Sequence, residues 1–205
     1  SASSEVEAGM PAANSESAPG THYASALAKR LGVRAEGFEV EGRPAFVLLP
    51  KKVVAHQPWI LYAPALPDYP DVHERWMHQQ FVNHGVAVAG IDIGEAYGSP
   101  RGRAAISALY GELVKNRGFS PRPCLFGRSR GGLWILSWAG DNVEKVGGII
   151  GIYPAFDLRT YPGLEKAALA YGLTTEQLQM DLPRYNPIEK TNHLAAAKVP
   201  AMFIH

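Results

Sequence analysis

Cys124-Leu125-Phe126-Gly127-Arg128-Ser129-Arg130-Gly131-Gly132-Leu133 is the stretch on which the fold turns. The apolar run Cys124 to Phe126 has the look of a strand, and Leu133 to Ala139 that of a mostly buried helix closed by Gly140. Between them, Ser129 must sit on a sharp strand-to-helix turn. Glycine at the flanking positions lets such a turn close without side chains striking the strand and helix beside it. The hydroxyl then projects from the sheet edge. The amide that follows, at Arg130, falls at a helix N-terminus, where a free N–H and the helix dipole favour negative charge.

The same rhythm continues on both sides. Upstream, Trp59 to Tyr62 and Val86 to Ile93 are short apolar runs without polar alternation, as in strands covered on both faces. Asp71-Val72-His73-Glu74 has the cap and reciprocal Glu of a helix start, and Val72, Trp76, Met77 and Phe81 give that helix an apolar side. Ser99-Pro100 opens another helix, carried by Ile106, Leu109, Tyr110, Leu113 and Val114 and ended by Gly118. Downstream, Val146 to Tyr153 is a Gly- and Ile-rich strand. Strands and helices in alternation predict an α/β fold: a mostly parallel sheet, right-handed crossovers and helices on both faces. Phe38 to Glu41 and Ala45 to Leu49 read as an N-terminal antiparallel hairpin ending at Pro50. Pro154 to Pro200 is too long for a plain crossover; with Thr174 to Gln177 as a second capping box, it predicts a short helical insertion, about 155–198, before a last strand Ala201 to Ile204.

With 205 residues, 46% hydrophobic and 19% charged, the chain suits one domain over 21–205 preceded by a tail, Ser1 to Gly20. That tail has almost no large apolar side chain and is expected to be flexible or packed on the domain surface. Signal-peptide cleavage leaves such a tail, a weak lean toward a secreted or periplasmic location, though a trimmed chain reads the same. Twenty Lys and Arg against nineteen Asp and Glu give a net charge of +1, with no field to hold nucleic acid or an anionic membrane. No apolar run approaches the roughly 20 residues of a membrane span.

A single cysteine, Cys124, excludes an intrachain disulfide framework and a multi-thiolate zinc site, and reads as an inert buried thiol. His73, His78 and His84 are spaced by five and six, not the four that aligns imidazoles on one helical face. The glycines at 90, 94 and 98 do not fit a dinucleotide loop. No metal or organic cofactor is therefore expected. Trp76, Trp134 and Trp138 read as core.

In this strand–turn–helix context, Gly127-Arg128-Ser129-Arg130-Gly131 resembles the nucleophile elbow of the alpha/beta-hydrolase superfamily, and more narrowly its bacterial esterases and prolyl-oligopeptidase-like members. The resemblance runs from about Gly37 to His205. It implies a serine hydrolase that cleaves a carboxylic ester through an acyl-enzyme on Ser129. Peptidase or thioesterase activity is the nearer alternative, and a non-catalytic binding domain or pseudoenzyme the alternative from another class.

The resemblance also places a second oxyanion donor in the loop Tyr62-Ala63-Pro64-Ala65-Leu66-Pro67, where the family's His-Gly is replaced. Aligning Ala63-Pro64 with that pair makes the Ala65 amide the donor beside Arg130, with Leu66 next; Pro64 and Pro67 carry no N–H and are excluded. Arg101, Arg103, Arg128 and Arg130 fall on segments at the carboxyl end of the sheet, with Glu95 and Tyr97 beside the first two. They are expected either to bind an acidic or carbohydrate-linked ester or to pair with neighbouring carboxylates.

The base and its orienting acid follow the serine in this family, in the order Ser, acid, His. Only His193 and His205 follow Ser129, and neither occupies the expected position. The expectation is a chain cut before its catalytic His, completed by further residues or a second polypeptide. Asp157 is an alternative acid, with turn capping as its plainer role.

Overall fold

The computed structural model describes residues 19–205. The apolar runs form β1 (Ala35–Val40), β2 (Arg43–Leu48), β3 (Trp59–Ala63), β4 (Ala87–Ile91), β5 (Cys124–Arg128), β6 (Gly148–Ile152) and β7 (Ala201–Ile204). They make one seven-stranded sheet in the order β1-β2-β4-β3-β5-β6-β7. The β1–β2 and β2–β4 pairs are antiparallel; β4–β3, β3–β5, β5–β6 and β6–β7 are parallel. Every residue of β3 and β4 is buried, as their unbroken apolar runs require.

The helices are α1 (Pro19–Leu31), α2 (Arg75–Asn83), α3 (Pro100–Gly111), α4 (Gly131–Asp141), α5 (Leu164–Tyr171), α6 (Thr175–Met180), α7 (Leu182–Tyr185) and α8 (Thr191–Ala196). Alternate residues of β3 serve two cores. Trp59, Leu61 and Ala63 pack with Ile106 and Leu109 of α3 and Trp134 and Trp138 of α4. Ile60 and Tyr62 pack with Tyr23 and Leu27 of α1 and Val82 of α2. Among the described residues no helix is long and apolar enough to cross a membrane.

Three expectations need correction. The chain before the hairpin is helical from Pro19, so Pro19 and Gly20 belong to the domain; the rest of the expected tail, 1–18, lies outside the described residues. A Cβ on Gly37 would stand 1.8 Å from the Gly20 carbonyl oxygen, so this pair of glycines lets α1 lie directly on β1. In α2 the capping box forms as expected, opening a 3-10 turn Val72–Glu74, and Met77 and Phe81 pack against the core, but the other half of the expected apolar side does not. Val72 and Trp76 are exposed, Trp76 by 72%, whereas Glu74, His78 and Val82 are buried. Glu74 faces inward onto the Tyr62 hydroxyl and Arg128, whereas His78 is packed among the rings of Tyr62, Phe81 and Phe126. In α4 the helix continues past Gly140 to Asp141; Gly140 instead gives room to Lys190, whose Cβ a glycine Cβ would meet at 2.5 Å.

The second capping box is present, with Gln177 N–H donating to Thr174 Oγ1 at 3.1 Å and Thr174 N–H to Gln177 Oε1 at 2.9 Å. It opens α6 within the helical insertion, after which β7 joins the sheet beside β6.

Candidate active site

The turn between β5 and α4 forces Ser129 to φ +51, in the left-handed region that a residue with a Cβ adopts only under constraint. Three backbone hydrogen bonds hold it there. Its N–H donates to the Ile152 carbonyl at 3.0 Å, and its own carbonyl accepts from Gly132 at 3.1 Å and Ala155 at 2.9 Å. The flanking glycines are sterically required: a Cβ would meet Gly132 Cα at 2.9 Å from Gly127, the Ala63 oxygen at 2.0 Å from Gly131 and the Ala155 oxygen at 2.6 Å from Gly132. The serine opens onto a pocket of about 100 Å³ lined by Pro64, Tyr69, Arg128, Ser129, Arg130 and Tyr153.

The close approach of Gly131 to Ala63 brings the start of α4 against the end of β3, and so the elbow against the loop carrying Ala65. Ala65 is fully buried. Among the described residues the amides of Ala65 and Arg130 donate to no backbone carbonyl, while the neighbouring Gly132 and Leu133 amides are both engaged.

The arginines divide. Arg128 lines the pocket, donating from Nη1 to Asp71 Oδ2 at 2.7 Å and Glu74 Oε2 at 2.8 Å, and from Nε to the Tyr153 hydroxyl at 2.9 Å. Burial works against its charge, but the bonds to Asp71 and Tyr153 prevail and raise its pKa. Arg130 also lines the pocket, its Nε 2.9 Å from Glu95 Oε1 and its guanidinium 5.3 Å from the Tyr69 ring centre. Arg101 instead donates to the Ile93 carbonyl at 3.3 Å. Arg103 pairs with Asp141 at the last residue of α4, and the helix runs ~15 Å from its Ser129 end to that point. Arg128, Arg130 and Glu95 are thus brought to the serine, and Arg103 is committed elsewhere.

Asp157 is held by its own loop. Arg159 donates to it from N, Nε and Nη2, and Asn186 Nδ2 donates at 2.9 Å. The Arg159 bonds, opposed by partial burial and helped by Asn186, lower its carboxyl to about 2. This is the turn-capping role.

Among the described residues no histidine lines the Ser129 pocket. His78 is enclosed by Tyr62, Phe81 and Phe126; His84 Nδ1 meets the Gln80 carbonyl at 2.8 Å; His73, His193 and His205 are exposed. Among the described residues no His, Cys, Asp and Glu group could hold a metal. Cys124 is half-buried rather than buried, and desolvation pushes its thiol up to about 11.

Asp71 and Glu74 were legible only as a helix cap. Each has a second duty: Asp71 accepts from the His73 amide and from Arg128, while Glu74 accepts from the Asp71 amide, the Tyr62 hydroxyl and Arg128. Burial raises the Glu74 carboxyl, but these bonds and the His78 ring 3.7 Å away outweigh it, so its pKa is lowered. Tyr69 and Tyr153, on loops after β3 and β6, complete the lining without any local sequence signal.

No protein-family model matches the chain, and no curated protein matches it. Solved structures do. The Staphylococcus aureus s-formylglutathione hydrolase FrmB superposes with a TM-score of 0.62 at 11% identity, over 83% of this chain and 78% of that one. FphF, a fluorophosphonate-binding serine hydrolase of Staphylococcus aureus, gives 0.61 at 12% identity, over 82% and 76%. A prolyl endopeptidase gives 0.58 at 18% identity over 77% of this chain, which spans only 27% of that enzyme's length. The seven-stranded, mostly parallel sheet with its antiparallel N-terminal pair superposes on these neighbours: the chain has the alpha/beta-hydrolase fold.

Proposed function

We propose that this domain is a serine hydrolase that cleaves a carboxylic ester through an acyl-enzyme on Ser129. The observation that carries the reading is Ser129 at φ +51 between β5 and α4, opening on a pocket lined by Arg130 and Pro64, with the Arg130 amide and that of Ala65, the buried residue after Pro64, donating to no backbone carbonyl. Ser129 Oγ attacks the ester carbonyl carbon and gives its proton to a base. The carbonyl π bond opens to an oxyanion, which the Ala65 and Arg130 amides receive. Collapse of that intermediate breaks the ester C–O bond, and the leaving alkoxide takes the proton as the alcohol. Water then cleaves the acyl-enzyme to the carboxylic acid by the same steps. Removing one oxyanion donor from such a site costs about 10²–10³ in rate. Peptide and thioester cleavage differ only in the leaving group.

A second reading, a non-catalytic binding domain on the same fold, draws support from where the histidines sit: His78 inside an aromatic cluster, His193 and His205 exposed. The resemblance assigns the acid and base to positions after β7. A fluorophosphonate probe distinguishes the two readings. A hydrolase is labelled at Ser129 and loses the label in Ser129→Ala; a binding domain is not labelled in either form.

A further inference from the structure

We infer that Arg128, held by Asp71 and Glu74 between the rings of Tyr69 and Tyr153, forms a subsite beside Ser129 for an uncharged oxygen of the substrate, an ether, hydroxyl or carbonyl, and disfavours a carboxylate. The inference rests on the serine-hydrolase reading above, which makes the Ser129 pocket the place where substrate sits.

The donors of the guanidinium can be accounted for one by one. Nε donates to the Tyr153 hydroxyl, and Nη1 uses its two hydrogens on Asp71 and Glu74. Among the described residues Nη2 donates to no protein acceptor, which leaves two N–H groups of a residue that lines the pocket. The guanidinium carbon lies 5.4 Å from the Tyr69 ring centre and 5.9 Å from that of Tyr153, so flat apolar walls flank those donors. A pocket with aromatic sides and a few fixed donors suits a small polar substituent.

Charge decides which oxygen it takes. Within the ion-paired set around the pocket, Asp71, Glu74 and Glu95 face Arg128 and Arg130, so three carboxylates meet two guanidinium groups. Both positive charges are already matched, and an incoming carboxylate would share Arg128 with two others of its own sign. An uncharged oxygen accepts the same hydrogen bonds without that repulsion. Glu74 and Asp71 are positioning residues. Glu74 is 5% exposed and is itself fixed by the Tyr62 hydroxyl at 2.7 Å and the Asp71 amide at 2.8 Å, so the guanidinium plane is set from beneath.

The test is equilibrium dialysis with the p-nitroanilides of butyric acid, methoxyacetic acid and succinic acid, every protein carrying Ser129→Ala so that no anilide is cleaved. The Ser129→Ala protein is expected to bind the methoxyacetyl compound about threefold to tenfold more tightly than the butyryl one, the worth of a net hydrogen bond, and the succinyl compound less tightly than the methoxyacetyl. Arg128→Met should remove the advantage of the methoxyacetyl compound over the butyryl one. Because that variant strands a buried Glu74 and can fail to fold, Asp71→Asn supplies an opposite signal: succinyl binding should tighten severalfold with the neutral compounds little changed. A Ser129→Ala protein that binds the succinyl compound most tightly, or an Asp71→Asn variant with unaltered selectivity, overturns the inference. Fluorophosphonate labelling is scored separately, on the native protein, so a failure to label Ser129 counts against the nucleophile while the order of the three affinities still judges the subsite.

Discussion

Gly131 abuts the backbone of Ala63 so closely that a Cβ on the glycine would stand 2.0 Å from the Ala63 carbonyl oxygen. This contact ties the first turn of α4 to the end of β3. It therefore sets the distance between the Ser129 elbow and the loop that carries the Ala65 amide. The near atom is backbone, so no side-chain rotation relieves the clash. Gly131→Ala is expected to lose about 1–3 kcal/mol in urea unfolding and to slow fluorophosphonate labelling at least tenfold. Gly111→Ala, in α3 with nothing within 4 Å of the added Cβ, is the control and should gain up to about 1 kcal/mol. Equal urea midpoints for Gly131→Ala and the native protein would mean that α4 and β3 do not approach this closely.

The strain at Ser129 has its own signature. Left-handed backbone costs a residue with a Cβ about 1–2 kcal/mol, part of which glycine returns as lost chain entropy. Ser129→Ala keeps the Cβ and is expected to melt with the native protein, whereas Ser129→Gly should exceed Ser129→Ala by about 1 kcal/mol. Neither variant would be labelled. A glycine variant less stable than the alanine one would place the serine in relaxed backbone.

The fold was legible because its signals are local. β3 and β4 are apolar on both faces, and the caps at Asp71, Ser99 and Thr174 use partners within three residues. The elbow was legible for the same reason, being six consecutive residues with obligatory glycines. What was not legible depends on distance along the chain. Arg128 meets Asp71 and Glu74 across 57 and 54 residues, so the cap motif gave no hint that its carboxylates also hold an arginine at the pocket. That pairing also neutralises the charge from which an acidic ester was expected. Helix α1 carries a local signal, Tyr23, Leu27 and Leu31 at four-residue spacing, but its seat on β1 through Gly20 and Gly37 is a tertiary contact.

The tryptophans separate a buried face from an apolar one. Trp138 is fully buried and donates to Ser107 Oγ at 2.9 Å, whereas Trp76 is 72% exposed on the outer side of α2. Trp138→Ala is expected to cost about 3–5 kcal/mol, and Trp76→Ser to stay within about 0.5 kcal/mol of the native protein. Quenching by iodide should fall on Trp76 first. A large loss of stability in Trp76→Ser would mean that the Val72–Trp76 side of α2 is covered after all.

Asp157 provides the pH test. Its carboxyl is lowered to about 2, first by the Arg159 bonds and then by Asn186, against a usual aspartate value of ~4. A lowered folded-state pKa means that the ionised form favours folding: the contribution is complete above pH ~4 and is lost as the pH falls through about 2. Asp157→Asn should therefore be less stable than the native protein at pH 7, with the difference shrinking between pH 4 and 2. The same variant bears on catalysis. Arg159 and Asn186 already occupy this carboxylate, so it has no free oxygen with which to orient an imidazole, and labelling of Ser129 is expected to proceed at the native rate. If labelling instead falls by orders of magnitude while the urea midpoint at pH 7 is unchanged, Asp157 is the triad acid and its bonds to Arg159 are broken in the active form.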